Sequence, residues 1–429
     1  MTADAARVAR PAYFAMVMAT GIVATGLRQD GWQAASDALV VIAAAVWVTA
    51  IATTLGRLVR SPAAVRADSR APGRAFAWYA VVAACVVLGS CLARLGGPGI
   101  PAAAALAGTG VVAWLAVTGL VPARLARRAA RPDLPGVTGS WYLWPVATQS
   151  VAIAVAVLAA DGEVPAGPGV IVAIAAWSAG VALYLLTSIL VATRLARAGP
   201  GPTGTRAAYW VAMGAAAISV LAAALIVSVP RVAAAQSAGP AVKGIGVLLW
   251  SAATALYLVL ALVTARWWAR TRSRPGYQKS TWVIVFPLGM YAVASWQLGA
   301  ATGLTFLHRI GTAAVWPAAL AWAVTCAALG VSVAGRAGRA VSARLRSVLL
   351  RSRRLRSVLL RSRRLRSRMP RPPRSHLDHP AGLRRYTFEA LVTIPPDGAQ
   401  SAAVPGPDWH GVIRAGASGD GSPAGLFSA

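Results

Sequence analysis

The chain has 429 residues; 57% are apolar, 13% are charged, and the formal net charge is +30. A soluble chain of this length forms two or three domains with about a quarter of its residues charged, so this composition excludes an ordinary globular fold. So basic a chain raises nucleic acid as a partner, but its arginines sit in short loops between apolar stretches and in one late run, fifteen from Arg336 to Arg374 without an acid. That is the distribution of membrane topology signals, and no nucleic-acid partner is expected.

Ten predicted spans follow one another, each near the ~20 residues that cross about 30 Å of hydrocarbon. The first, 11–28, follows Arg7 and Arg10, opens on Tyr13 and Phe14, and carries Thr20, Gly21 and Gly26. It reads as an uncleaved span and not as a signal peptide, because the charge pattern needs it. The second, 36–56, has no ionisable residue from Ala38 to Thr54 and stops at Arg57. The third, 75–94, opens on Phe76 to Tyr79, carries Cys85, Gly89, Ser90 and Cys91, and ends at Arg94; the fourth is 101–121. The fifth, 141–160, opens on Trp141 and Tyr142 and contains Pro145 and Gln149; the sixth is 168–191. The seventh, 207–229, opens on Tyr209 and Trp210, contains Gly214 and Ser219, and precedes Arg231; the eighth is 243–265. The ninth, 281–302, holds Trp282, Phe286, Pro287 and Gly289, with His308 and Arg309 at its outer end. The tenth, 312–334, contains Cys326. The three cysteines show neither zinc spacing nor a disulfide framework and read as small buried apolar residues.

Alternate connections differ in charge. One side carries nineteen Lys and Arg before the tail is counted; the other carries Arg28, Arg94, Arg231, Lys243 and Arg309, offset by Asp30, Asp37, Asp161 and Glu163. This bias predicts ten spans in the cell membrane with both termini cytoplasmic. There is also a slow repeat: cationic stops open at Arg57, Arg124, Arg194, Arg266 and Arg336, 67 to 72 residues apart, and aromatic residues open every odd span. The expected fold is an all-α polytopic membrane protein of ten transmembrane helices, arranged as five helical hairpins around a central pore.

No acid lies in the middle of a span, and proton-coupled carriers usually keep one there. No metal cluster, nucleophile–base pair or phosphate loop stands out, so neither an enzyme nor a cofactor is expected. What lies at mid-membrane depth is neutral and helix-distorting: Thr20, Gly21, Gly89, Ser90, Pro145, Gln149, Gly214, Pro287 and Gly289. Broken helices are tolerated at that depth where they line a wet cavity. The two mid-helix prolines recognised here fall on odd spans, which places the odd helices inside. Their outer ends then carry Arg28, Arg94, Arg231 and Arg309, a cationic ring that would concentrate anions.

Three stretches carry a family likeness: PAYFAMVMATGIVATGL (11–27), GSWYLWPVATQSVAIAV (139–155) and STWVIVFPLGMYAVASWQLG (280–299). They resemble the first, fifth and ninth helices of the tellurite-resistance/dicarboxylate transporter family, which includes TehA, plant guard-cell slow anion channels and fungal malate and sulfite permeases. The likeness covers about residues 8–335. It implies a pore through each protomer of a homotrimer, small inorganic or carboxylate anions as substrates, and a pore-occluding phenylalanine before the ninth-helix proline, which Phe286 matches. Span five departs from the family by placing Trp144 where a smaller residue is usual, and spans three and seven lack proline, so their kinks would rest on Gly89 and Gly214. Within transport the alternative is a proton-coupled C4-dicarboxylate or sulfite exporter; outside it, a membrane scaffold acting through its basic tail.

The tail is a different material. Arg344 to Arg363 is the decapeptide RLRSVLLRSR written twice, suited to a basic amphipathic helix on anionic lipids. Three regions are therefore expected: a transmembrane domain 1–335, a basic juxtamembrane segment 336–369, and a disordered tail 370–429.

Overall fold

The computed structural model describes residues 12–70, 72–126, 137–199, 207–230, 232–271 and 281–366, and among them every regular element is helical. Ten major helices follow the predicted order: α1 Ala12–Gln29, α2 Gln33–Arg60, α3 Ala80–Ala93, α4 Gly99–Ala126, α5 Leu143–Ala160, α6 Ala166–Ala198, α7 Trp210–Val227, α8 Ala233–Thr271, α9 Trp282–Thr302 and α10 Thr305–Arg366. Nine of the described helices are long and apolar enough to cross a membrane. The remaining major helix, α1, has 18 residues and closes on Arg28 and Gln29. The chain divides into two units, Met1–Arg353 and Arg354–Ala429. The doubled decapeptide lies on the last part of α10, and residues 367–429, where the tail is expected, fall outside the described residues.

Local chemistry sets the helix ends. Four of the five hairpin turns contain glycine with positive φ, at Gly31, Gly96 and Gly97, Gly162 and Gly303; only a residue without Cβ adopts that backbone freely, so the chain reverses within a few residues. At the opposite ends, the aromatic openings of odd spans form 3-10 turns, at Phe76–Tyr79, Gly139–Tyr142 and residues 207–209. A nine-residue helix, Pro62–Arg70, connects α2 to α3, and its Asp68 pairs with Arg57 at 2.9 Å and Arg74 at 3.4 Å.

The odd helices close a ring: α1 packs on α3, α3 on α5, α5 on α7, α7 on α9, and α9 on α1. Outside it, α2, α4, α6 and α8 each lie against their hairpin partners, and α10 lies against α9 through Gly311, whose α-carbon faces Trp296 and Ala292. Burial separates the two sets: 67 to 89% of the apolar stretch is buried in α3, α5, α7 and α9, and 11 to 33% in the even helices.

Proline does not separate them. Pro122, Pro240 and Pro317 lie inside the even helices α4, α8 and α10, whereas Pro145 is only the third residue of α5. Pro145 directly follows the 3-10 turn Gly139–Tyr142, where the segment passes into α geometry. Pro287, the sixth residue of α9, removes an amide from within a helix, as the even-helix prolines do. The expectation that odd helices are inside therefore holds for a reason other than the one the prolines suggested.

Each even helix also reaches the next odd helix through one tryptophan. Trp114 Nε1 donates to Thr148 Oγ1 at 3.1 Å, Trp177 to the Ser219 carbonyl at 2.9 Å, Trp250 to Ser295 Oγ at 2.8 Å, and Trp322 on α10 to Thr20 Oγ1 on α1 at 3.1 Å. Trp47 on α2 is the exception: its buried Nε1 has no hydrogen-bond partner among the described residues. Four indole hydrogen bonds thus tie α4, α6, α8 and α10 to the ring.

Candidate functional site

Inside the ring lies a cavity of about 280 Å³, lined by residues of all five odd segments and none of the even helices. The deepest lining residue on each helix is Ile22 on α1, Val86 on α3, Ser150 on α5, Ile218 on α7 and Met290 on α9. From there the walls are mostly aliphatic, with hydroxyls at Thr25, Ser90, Ser150 and Ser228. Arg94 and Asp161, the C-caps of α3 and α5, line the end that opens to solvent, and both are exposed.

Most of the hydroxyl protons are already committed. Thr25 donates to the Gly21 carbonyl at 3.0 Å, Ser150 to Val146 at 2.9 Å and Ser228 to Ala224 at 2.7 Å. Ser90 has no partner among the described residues and lies one turn below Arg94 on the same face of α3. Below the cavity the ring is packed shut. Phe286 lies one turn beneath Met290 and is only 3% exposed. Beside it, the Gly214 α-carbon comes so near Pro287 that a Cβ would stand 3.0 Å from the proline ring.

The structure distributes the predicted residues among three roles. Ser90 alone of the proposed pore-lining set faces the cavity. Gly21, Gly89, Gly214 and Gly289 sit at helix contacts, where a Cβ would meet Val87 at 2.7 Å, the Ala103 carbonyl at 3.3 Å, Pro287 at 3.0 Å and Ile22 at 2.7 Å. Thr20 and Gln149 point outward to the even helices: Thr20 accepts from Trp322, and Gln149 donates to the Trp177 carbonyl at 3.1 Å while pressed on Gly180. Phe14 and Pro145 are buried near the starts of α1 and α5.

Of the three expected mouth cations that are described, only Arg94 lines the cavity. Arg28 is bound to Asp37 on α2 at 2.7 Å, with a second contact to the Arg94 carbonyl at 3.3 Å. Arg309 is exposed in the first turn of α10, which begins at Thr305, and Arg231 lies outside the described residues. Asp161 is the site residue that the sequence reading took for an ordinary loop acid; its place directly after the last turn of a ring helix was the available signal.

The family model for voltage-dependent anion channels, SLAC1, matches residues 9–329. Two uncharacterized membrane proteins, from two strains of Mycobacterium tuberculosis, are each 37% identical over 159 residues, which is 37% of this chain and 80% of theirs. The chain belongs to the SLAC1 family, the same group that the first, fifth and ninth helices resemble, and it is a multi-pass membrane protein of a channel and transporter family.

Proposed function

We propose that this SLAC1-family protein passes small anions passively through the interior of its five-helix ring, with Phe286 as the gate. One observation carries the reading: a cavity lined from all five odd helices descends to Met290, one turn above Phe286. An anion entering the open end meets the guanidinium of Arg94, which no described carboxylate pairs with. It then meets aliphatic walls and the Phe286 ring, which both blocks and dries the constriction until it rotates away. Pro287 supports that motion, because it supplies no amide to the turn below and leaves the helix free to bend. The buried polar side chains among the described residues are hydroxyls, Gln149 and Arg194, without an acid; this favours passive flow over a proton-coupled exporter.

The test is Phe286→Ala in liposomes, with flux normalised to inserted protein. A gate predicts intact folding and several-fold higher basal anion flux. Simple packing predicts a cavity costing about 3–5 kcal/mol, hence less protein and no gain per molecule. Flux equal to or below wild type removes the gate.

The same reading puts the Arg94 end outside the cell and both termini in the cytoplasm. Glu163→Cys should then label from outside and Gly204→Cys from inside; labelling from one side contradicts it. Three-fold assembly, as the family resemblance implies, would bring exposed even helices together, and cross-linking in native membranes should stop at trimers. The arginines of the doubled decapeptide would rest on anionic headgroups, at roughly 1 kcal/mol each. Deleting 340–429 should leave flux intact, whereas a scaffold would lose its phenotype.

A further inference from the structure

The mouth of the cavity carries opposite charges on two neighbouring ring helices, and they are not spent on each other. Arg94 and Asp161 both line the cavity, and the field of Asp161 reaches Arg94, but no ion pair joins them or ties either to another described residue. The nearby Arg28, by contrast, is already neutralised by Asp37. One turn below Arg94, the unpartnered Ser90 hydroxyl faces the same space. The cavity's 280 Å³ is several times the roughly 30 Å³ share of one water, so a polyatomic ion fits with part of its hydration shell.

These three side chains have different hydrogen-bonding capacities. A guanidinium only donates, an ionised carboxylate only accepts, and a hydroxyl does either. Chloride or nitrate satisfies Arg94 and Ser90 but offers Asp161 nothing except repulsion. A singly charged oxyanion that retains an O–H gives acceptors to Arg94 and Ser90 and donates its proton to Asp161, a charge-assisted hydrogen bond about twice as strong as a neutral one. We propose that Arg94, Ser90 and Asp161 form a selectivity site for hydrogen-oxyanions, the class of hydrogencarbonate, hydrogensulfite and dihydrogen phosphate, over aprotic anions. This rests on the anion pathway proposed above and names its substrate class.

The experiment compares inorganic phosphate with nitrate, in mildly acidic buffer where phosphate is mainly singly charged. Binding is measured by calorimetry on the full-length protein in detergent, and flux in liposomes at fixed ionic strength. Wild type should bind and pass phosphate in preference to nitrate. Asp161→Asn, which replaces the charge with an amide that donates, should shift that preference about tenfold toward nitrate, with Asp161→Ser as a second, smaller replacement. Arg94→Gln should weaken both anions by the same factor. A phosphate-to-nitrate ratio that both Asp161 variants leave unchanged overturns the site and leaves the channel reading standing. Binding preference that Asp161→Asn abolishes, without flux of either anion, supports the site and removes the channel reading. Absence of both binding and flux overturns the two together.

Discussion

The inner and outer helices of this protein are built from almost the same palette and do opposite work. Buried α7 and largely exposed α2 are equally apolar, and α9, inside the ring, is the least apolar of the nine candidate spans. Hydrophobicity therefore marks the bilayer but not the interior, because lipid tails and a protein core are alike to an apolar side chain. What separates the sets is size and contact. Ring helices present Gly21, Gly214 and Gly289 directly to the neighbouring ring helix; the even helices turn Gly180 and Gly311 toward the ring and leave Gly56, Gly108 and Gly330 facing open space. The outer helices also extend well past the ring helices: α8 has 39 residues and α6 has 33, against 18 for α5 and α7.

This contrast breaks most sharply at a glycine. Gly289→Val would drive a side chain into Ile22, where a Cβ already stands at 2.7 Å, and overpacking of this kind costs about 1–3 kcal/mol. Gly108→Val on α4 meets nothing within 4 Å and should change stability by no more than about 0.5 kcal/mol. The fraction of protein surviving heating in detergent, followed by size exclusion, separates the two; equal loss would mean that close approach does not define the ring.

The mouth offers the next contrast. Arg94→Gln removes the cation that lines the cavity and should lower anion flux several-fold at low salt, with less effect once ions screen the field. Arg28→Gln removes a cation already paired with Asp37 and should leave flux within about twofold. Equal losses in the two variants would restore the cationic ring in place of the single Arg94.

The smallest expected effects lie at the tryptophan contacts between shells. Trp250→Phe loses the 2.8 Å bond to Ser295, and such interhelical bonds in membrane proteins are worth about 0.6 kcal/mol on average. A double-mutant cycle with Ser295→Ala should return a coupling of that size. Trp47→Phe, whose buried Nε1 has no hydrogen-bond partner among the described residues, should cost less, since it removes an unsatisfied donor. A larger loss at Trp47 than at Trp250 would show that indole packing, not the hydrogen bond, holds the shells together.

Much of the fold was legible because each span must satisfy its own backbone in lipid, which reduces the problem to finding long apolar helices. Span nine, predicted at 281–302, is observed as Trp282–Thr302, while span ten, predicted at 312–334, runs from Thr305 to Arg366. That miss has a simple cause: arginine ends an apolar window but does not end a helix, since it is among the good helix formers. The candidate site was less legible. Thr20 and Gln149 were read as facing inward because they are polar and mid-span, yet both serve the seam with an even helix, through Trp322 and the Trp177 carbonyl. Arg194, counted among the loop cations, is buried in α6 with Nη1 donating to the Tyr209 hydroxyl at 2.6 Å. A helical residue's depth can be read from its position in the span, but its azimuth depends on which neighbours pack around it.

The sequence alone determined the order of the apolar helices and the family, because hydrophobic length and motif are local properties of the chain. Only the tertiary structure decided that five of those helices close a ring, that Arg28 is spent on Asp37 while Arg94 is not, and that Asp161 stands in the mouth of the cavity. Each of these is a relation between residues about 10 to roughly 270 positions apart, fixed by shape and partner at the contact, and no local pattern encodes it.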